Sequence, residues 1–599
     1  MRSKFWIPRR MFQRVFWPSV VSGLALSMSD IADSLTIGNR IGERGLAAIG
    51  IVTPLFMIYN LIGYGFSSGG CVTHGTLTAS GRSDGALRHF RFLLCWILGI
   101  STVIAIPGSL LTEAVIALLG VDGGNPELRR LCVDYARPVL ASCPIFMLNF
   151  MLYDFVRCDD DPGLAPLGFS LGCGTDVGLN ILLVLILNKG VRGSIAATVI
   201  AQTVSVGVLS LHLFNSRGVL KMKQLLRVSG TGAEIRAAAR DSLKLGFSTS
   251  AQYIFQLLFL SLGNHLLLRA GSLGLIDGDL YVAVFDVVMN VSFVTSSVFQ
   301  ASSGTMQPLA SVFAEEHNRE SLHYTLRLTL IWGLALGTAM AAALGWCAPS
   351  ISALFGIRDA ESLSVSVPAI RIFCLSAPIA GILNILTGYF QSIGKEKISR
   401  LLTLLRGALF LLPSTVIFGR FFPKHYWWLF VVSESATLIA GVVLQLKQRK
   451  DRVEQSPVFS AAMDNSNHEL KRVLESLETY CKEQRILTST ATKLQLAVEE
   501  LCLITMKQSF SGKPDEYIQI TLFSEAGGDG KEDRGVGYYH LHIRNSAPLF
   551  NPFAMETSRI RLDARKELLD SVGVLLVKEQ AKTLHYRNYE GFNVLLVII

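Results

Sequence analysis

The chain has 599 residues, of which 50% are hydrophobic and only 17% charged, against about a quarter charged in an ordinary soluble domain. With a mean hydropathy of +0.42 and apolar runs such as Ile181 to Leu187, this excludes a secreted enzyme, a nucleic-acid binder and a disordered chain. The net charge of +9 reads as juxtamembrane basic charge on a multi-span membrane protein.

A bilayer-crossing helix takes about 20 mostly apolar residues. Such stretches fall at 15–37, 46–68, 90–118, 134–156, 164–187 and 193–214, then at 243–268, 280–302, 325–348, 364–390, 399–422 and 426–446. They predict twelve transmembrane helices. The first follows Arg2, Lys4, Arg9, Arg10 and Arg14 and lacks the small-residue cleavage site of a signal peptide. Between the sixth and seventh come Arg217, Lys221, Lys223, Arg227, Arg236 and Arg240. The positive-inside rule then puts both termini in the cytoplasm. Ten cysteines are scattered without a CxxC pair, which suits buried thiols better than a disulfide framework or a metal cluster.

Composition breaks near residue 450. Residues 1–450 hold 37 Lys+Arg against 25 Asp+Glu, and residues 451–599 hold 18 against 21. A soluble α+β domain is therefore expected after the membrane part, with helices at 468–484 and 488–509, strands at 516–523 and 537–545, a helix at 564–581, and strands at 583–588 and 591–599. The expected domains are an N-lobe at 1–220, a cytoplasmic linker at 221–242, a C-lobe at 243–447, a linker at 448–467 and a cytoplasmic domain at 468–599.

The two halves match at a constant offset of 235 residues. Phe66-Ser67-Ser68-Gly69-Gly70 faces Ala301-Ser302-Ser303-Gly304-Thr305, Ala48 faces Ala283, and Phe155 faces Phe390. Six spans per half is an even number, so the halves run parallel and are related by an axis along the membrane normal. The predicted fold is an all-α polytopic membrane domain, two six-helix lobes in pseudo-twofold arrangement around a cleft. That is a design for alternating access.

The mismatches of the repeat are polar. Asp33 faces Leu268, Asp176 faces Leu411, Asn180 faces Thr415 and Thr198 faces Ser433. A carboxylate at the bilayer centre costs about 2.5–3.5 kcal/mol, so it normally faces a cavity or a partner. Asp176 and Asn180 are i,i+4 and share one helix face. Interhelical bonding or an interfacial position is the competing account, above all for Asp30. Asp286, in the eighth span, either contacts a cationic substrate or pairs with Asn290. Tyr59, Tyr64, Phe255 and Phe259 line an aromatic cleft or simply pack. Arg40 and Arg44 read as solvated.

These residues resemble the multidrug and toxic compound extrusion (MATE) transporters. Asp33, Gly38 and Gly42, followed by Ala47-Ala48-Ile49-Gly50, are similar to the family's first-span pattern. Arg157, Pro162 and Lys189 to Thr198 look like its fourth to sixth spans. Gly304 to Pro308, with Gln307, and Tyr389 to Lys395 match its eighth- and tenth-span ends, and Arg406 and Pro413 its eleventh. The resemblance spans residues 15–446 and implies efflux of organic, often cationic, small molecules in exchange for Na+ or H+. Its cation site falls on Asp33, Asp176, Asn180 and Thr198. The family's fifth-span Asn-x-x-x-Asp is exchanged here to Asp176-x-x-x-Asn180, a move of one turn or about 5.4 Å. Both ions stay open, with H+ slightly preferred. Gln307, Asp286 and Tyr59 are the expected substrate-cleft residues.

The C-terminal part resembles the histidine-kinase-like ATPase fold of anti-sigma-factor kinases. Leu496-Ala497-Val498-Glu499-Glu500 is similar to its first nucleotide box, Asn551-Pro552-Phe553 to the stretch after its Asp-x-Gly box, and Gly573 to Lys578 to the helix after its lid. The resemblance implies a nucleotide site at Glu500, Asn545 and Gly573. Ile504, however, stands where the fold has its Mg-binding Asn, Asn545 where it has its adenine-reading Asp, Ala547 for a Gly and Ser571 for a lid Gly. An Ile supplies no oxygen for Mg²⁺. The domain is expected to be degenerate and regulatory, with weak or no ATP binding and a cytoplasmic protein partner.

Together these expectations describe a monomeric inner-membrane transporter in contact with lipid, not an enzyme, with no nucleic-acid partner and no cofactor beyond the coupling ion. A lipid or polysaccharide-precursor flippase and a signalling membrane receptor are the alternatives.

Overall fold

A computed structural model of the chain describes residues 5–41, 43–119, 126–159, 161, 163–214, 218–225, 231–355, 357–448, 458–510, 516–525, 538–554, 565–589 and 591–599. The N-lobe is built from α1 (Trp6–Ile41), α2 (Glu43–Ala79), α3 (Ser83–Leu110), the short α4 (Thr112–Leu118), α5 (Pro126–Ala141), α6 (Cys143–Cys158), α7 (Leu164–Asn180) and α8 (Gly190–Ser210). After the short α9 (Met222–Leu225), the C-lobe comprises α10 (Gly232–Ser272), α11 (Gly278–Glu315), α12 (Arg319–Trp346), α13 (Ala348–Leu354), α14 (Ala360–Ser392), α15 (Glu396–Leu404), α16 (Leu412–Phe421) and α17 (Trp428–Gln448). Wider π-turns at Ile181–Ile186 and Leu405–Leu411 continue α7 and join α15 to α16.

Local chemistry sets the helix starts. Asp277, Asn318 and Asp359 accept from the backbone N–H three residues on, at 3.1, 3.0 and 2.8 Å, caps worth about 1 kcal/mol each. Thr231 and Glu234 form a reciprocal capping box, so α10 begins eleven residues before the predicted span. Pro144, which has no N–H to offer the preceding turn, stands at the 51° break between α5 and α6. Among the described residues nine helices are long and apolar enough to cross a membrane, ten if that bent pair is one span; Trp428–Val443 is apolar but shorter. By this measure the count falls short of twelve. Outward-facing side chains such as Leu118 (88% exposed) and Trp346 (86%) suit lipid rather than water.

Each lobe has its own core, around Phe90, Phe146 and Phe155 in the N-lobe and Phe259, Phe285 and Tyr426 in the C-lobe. Between lobes, α1 packs on α11 and α2 on α10, so the first helix of each half meets the second helix of the other. The α2–α10 crossing is glycine-dependent. A Cβ at Gly69 would overlap the Ser242 carbonyl, and one at Gly246 the Gly65 carbonyl. Gln391 Nε2 donates to Ser68 Oγ across the same boundary at 2.8 Å.

The C-terminal sheet is antiparallel throughout, in the order β1-β2-β3-β5-β4, with β1 Val458–Asp464, β2 Tyr517–Glu525, β3 Tyr538–Asn545, β4 Thr583–Tyr589 and β5 Phe592–Ile598. Strand β1 lies inside the stretch expected as linker; it is an edge strand whose short apolar run carries no turn residue to mark it. Helices α18 (Asn467–Glu483), α19 (Thr488–Gln508) and α20 (Arg565–Gln580) follow the expected order. Side chains alternate across a strand. Ile518, Ile520, Leu522, Leu541, Ile543, Leu595 and Val597 join the helices in one core. Their alternates, Gln519, Thr521, Phe523, His542, Arg544, His585 and Arg587, meet the helix ends of the membrane domain.

That contact reaches both lobes. On the C-lobe, Arg544 Nη2 donates to Glu316 Oε1 at 2.6 Å, Asn318 Nδ2 to Thr521 Oγ1 at 3.0 Å and Gln519 Nε2 to Ser321 Oγ at 2.8 Å. On the N-lobe, Arg587 donates to the Cys158 carbonyl at 3.2 Å, Ser83 Oγ and His585 Nε2 stand 3.2 Å apart, and Trp6 packs on Tyr517 and Phe592. Tyr589 and Phe592 share a hydrophobic cluster with Phe12, Phe16 and Phe313. Burial pushes the Glu316 carboxyl up, against the pull of Arg544. Burial, with the nearby charges of Arg544, His540 and His317, holds His542 down to about 3.

Candidate functional site

Helix α7 sets two polar side chains one turn apart on its buried face, Asp176 and Asn180. The π-turn begins directly after Asn180, a widening common at functional sites. Asp176 Oδ2 accepts from Ser29 Oγ of α1 at 2.7 Å and Oδ1 from Asn180 Nδ2 at 3.2 Å. Asn180 Nδ2 also donates to the Asp176 carbonyl at 3.1 Å. Thr198 of α8 stands beside the carboxylate, its hydroxyl donating to the Ser194 carbonyl at 3.2 Å. Three of the four residues expected at a cation site are thus brought together. The Asp33 side chain lies outside those described, although its backbone is in α1 one turn after Ser29. Ser29 was not anticipated. Its signal is the i,i+4 spacing from Asp33, which puts both on one helix face.

Two further acids on the lobe helices escaped the sequence reading, and both carry their own cation. Asp154 of α6 accepts from Arg157 Nη2 at 3.1 Å and from Ser67 Oγ at 2.7 Å. Glu434 of α17 is bridged by Arg406 at 2.7 to 3.0 Å, and Arg406 also donates to Asn384 at 2.8 Å. Among the described residues Asp176 makes no ion pair; its hydrogen-bond partners are the Ser29 hydroxyl and the Asn180 amide, with the Thr198 hydroxyl beside them. Such a carboxylate surrounded by neutral oxygen groups can take up either a proton or a small cation.

The expected cleft residues fare unequally. Asp286 is exposed on α11 and holds Asn290 Nδ2 at 3.4 Å. Gln307 is part-buried on α11, beside Gly388 of α14. Tyr59 does not line a cleft: it is 1% exposed, its hydroxyl donates to the Val139 carbonyl at 3.2 Å, and its ring packs on Phe56 and Phe146. Phe259 is likewise core, while Tyr64 stacks on Tyr253 where α2 meets α10. Arg40 and Arg44 fall outside the described side chains. Cys71 and Cys158 are joined as a disulfide between α2 and α6, which corrects the expectation of free thiols; a separation of 87 positions gives no sequence cue.

In the C-terminal domain, Asn545 is buried and engaged from within. Its Oδ1 accepts from Asn593 Nδ2 at 3.0 Å and from the Ala547 N–H at 3.2 Å. Helix α20 lies so close on α19 that a Cβ at Gly573 would overlap the Glu500 carboxylate. The side chain of Ser571 is outside those described, and among the described residues no His/Cys/Asp/Glu group could hold a metal.

A family model described as MatE matches residues 18–171 and 254–417, which lie in the two lobes and end before the sheet domain. The multidrug export protein MepA of Staphylococcus haemolyticus (strain JCSC1435) is 20% identical over 436 residues, 72% of this chain and 92% of that protein. An outward-facing conformation of a multidrug resistance MATE family transporter of the MOP superfamily superposes with a TM-score of 0.67 at 20% identity, covering 75% of this chain and 98% of that one. A MOP superfamily transporter from Pyrococcus furiosus Vc1 (DSM3638), whose binding pocket is described as of reverse polarity, gives 0.64 at 20% identity over 75% and 98%.

Proposed function

The chain belongs to the MatE family of transporters, and from that premise we propose that it is a secondary antiporter that exports organic, often cationic, compounds in exchange for H+ or Na+. The observation that carries the reading is Asp176, a buried carboxylate that, among the described residues, is bonded by Ser29 and Asn180 and has Thr198 beside it. When protons or Na+ arrive from the side of high potential, this carboxylate is the group that takes them. Its load then biases the lobes between cleft-open and cleft-closed states. Neutral oxygen ligands from two hydroxyls and an amide suit Na+ coordination, while one carboxylate suffices for H+, and H+ remains the first choice. Asp33 is the second acid of this site, and Asp286 and Gln307 are the substrate contacts.

The interlobe contacts named above cluster in the halves of the helices nearest the C-terminal sheet, while Ile58, Leu258 and Asp286 farther off are exposed. With both termini cytoplasmic and the protein in the inner membrane, that corresponds to an outward-open form. A flippase of phosphate-bearing lipid would need unpaired cations in the cleft, and Arg157 and Arg406 are both neutralised. The twelve-helix count, the monomeric state and the boundaries at 220, 242, 447 and 467 belong to the same proposal. So does the ATPase-like ancestry of residues 468–599, a domain that regulates rather than drives transport. The test is dye efflux in inverted vesicles under separate H+ and Na+ gradients. Gradient-driven uptake supports the reading, and uptake indifferent to both gradients contradicts it.

A further inference from the structure

We propose that the C-terminal domain is a latch that holds the two lobes together on the side where it docks, and that transport requires its release. This rests on the alternating-access reading above. The latch surface is the outer face of the sheet, and its partner is the pair of lobes of the same chain. Strands β2 and β3 bind the C-lobe at Glu316, Asn318 and Ser321, while β4 binds the N-lobe at Ser83 and the Cys158 carbonyl. These points lie at the ends of α11 and α6 and at the starts of α12 and α3, so one rigid antiparallel sheet spans helix ends from both lobes.

Opening the transporter on this side requires those helix ends to separate. A sheet held by backbone hydrogen bonds from β1 to β4 cannot stretch with them, so one set of contacts must break. The C-lobe set is the costlier to expose. Glu316 and Arg544 are 2% and 4% exposed as side chains and pair at 2.6 Å, and a buried charge is tolerated only while its partner is present. Charge is complementary at the contact itself, where the sheet brings Arg544 and Arg587 and the lobes meet them with Glu316 and the Cys158 carbonyl. The sheet's outer face is also polar and buried, which a freely solvated domain would not need.

The experiment uses the full chain in proteoliposomes with a cationic dye, and spin labels at Asp84→Cys and Lys397→Cys on a background without other reactive cysteines. Both label sites are exposed, one on each lobe. In the parent a single short distance is expected. Arg544→Gln should add a longer population and speed dye transport about tenfold, the change that loss of about 1.4 kcal/mol of bias gives. The charge swap Glu316→Arg with Arg544→Glu should return both readouts toward the parent. Thr521→Val with Ser321→Ala removes the same two uncharged contacts, leaves the Asn318 cap of α12 in place, and should act in the same direction more weakly, which guards against misfolding of the charge variants. Unchanged distances and rates in all variants, or slower transport together with the longer distance, would overturn the latch. If no protein moves dye under either gradient, the antiporter reading fails, and the distances alone still decide the latch.

Discussion

At the scale of single residues, two acids that look alike in the sequence are predicted to behave differently. Asp176→Asn should abolish gradient-driven efflux while leaving thermal stability in detergent close to that of the parent. Its partners Ser29 and Asn180 keep an amide to bond, but the group that loads the ion is gone. One charge crossing 100 mV is worth about 2.3 kcal/mol, so the dye gradient the variant sustains should fall by about fiftyfold. Glu434→Gln should do the reverse. It leaves Arg406 without its bridging carboxylate, costs about 2 kcal/mol for a pair that is partly exposed, and lowers the melting temperature while gradient coupling persists. A Glu434→Gln protein that melts like the parent but has lost coupling would exchange the roles assigned to these acids. The double substitution Asp176→Asn with Asn180→Asp keeps one acid and one amide on the same face and should retain efflux; loss of efflux in a well-expressed protein would show that Ser29 and Thr198 accept the acid at one position only.

At the scale of elements, the sheet's alternation makes docking pH-dependent. His542 is held neutral, down to about 3, by burial and by Arg544, His540 and His317. Once undocked it protonates below about 6.5. Its contribution to docking is therefore full above about pH 6.5 and is lost as pH falls toward 3. Glu316, raised by burial against Arg544, works in the opposite sense: its contribution is present below the ordinary Glu value and lost as pH rises through its raised one. The difference between parent and His542→Gln isolates the imidazole. Between pH 7.5 and 5.5 the undocked fraction, read by the label distance, should rise more in the parent than in the variant. Equal rises in the two proteins would remove His542 from the interface energetics. The same domain should bind Mg-ATP weakly or not at all in the full chain. Asn545 is already taken by Asn593 and the Ala547 N–H, and α20 closes on Glu500 at Gly573. Micromolar binding by titration calorimetry, with phosphate release, would contradict that.

At the scale of the whole molecule, what was legible in the sequence follows its periodicities. Apolar runs of helical length pointed to the candidate spans, because lipid exposure demands them, though among the described residues nine or ten rather than twelve are long and apolar enough to cross a membrane. The Asp176–Asn180 pair was legible because i,i+4 spacing needs no tertiary information. Ser29 was not, since serine is common in helices and only packing of α1 on α7 gives it a role. Tyr59 was misread because an aromatic at helical spacing looks the same whether it lines a cleft or fills a core. Asp154 and Glu434 passed unnoticed, and the arginines that neutralise them sit three residues and 28 residues away, the second beyond any local rule. The docked face of the sheet was present as Gln519, Thr521, His542 and Arg544 alternating with aliphatic residues, but that pattern is also what a solvated sheet face shows. Only the lobes beneath it make it an interface.

The central claim is that ion movement through Asp176 drives export. The direct measurement is dye uptake into inverted vesicles containing the full chain, with the H+ and Na+ gradients imposed separately and dissipated in turn. The account predicts uptake that collapses when one of the two gradients, H+ by preference, is abolished, and that is absent in Asp176→Asn at equal protein density. Uptake by Asp176→Asn that still responds to the gradient as the parent does would contradict it.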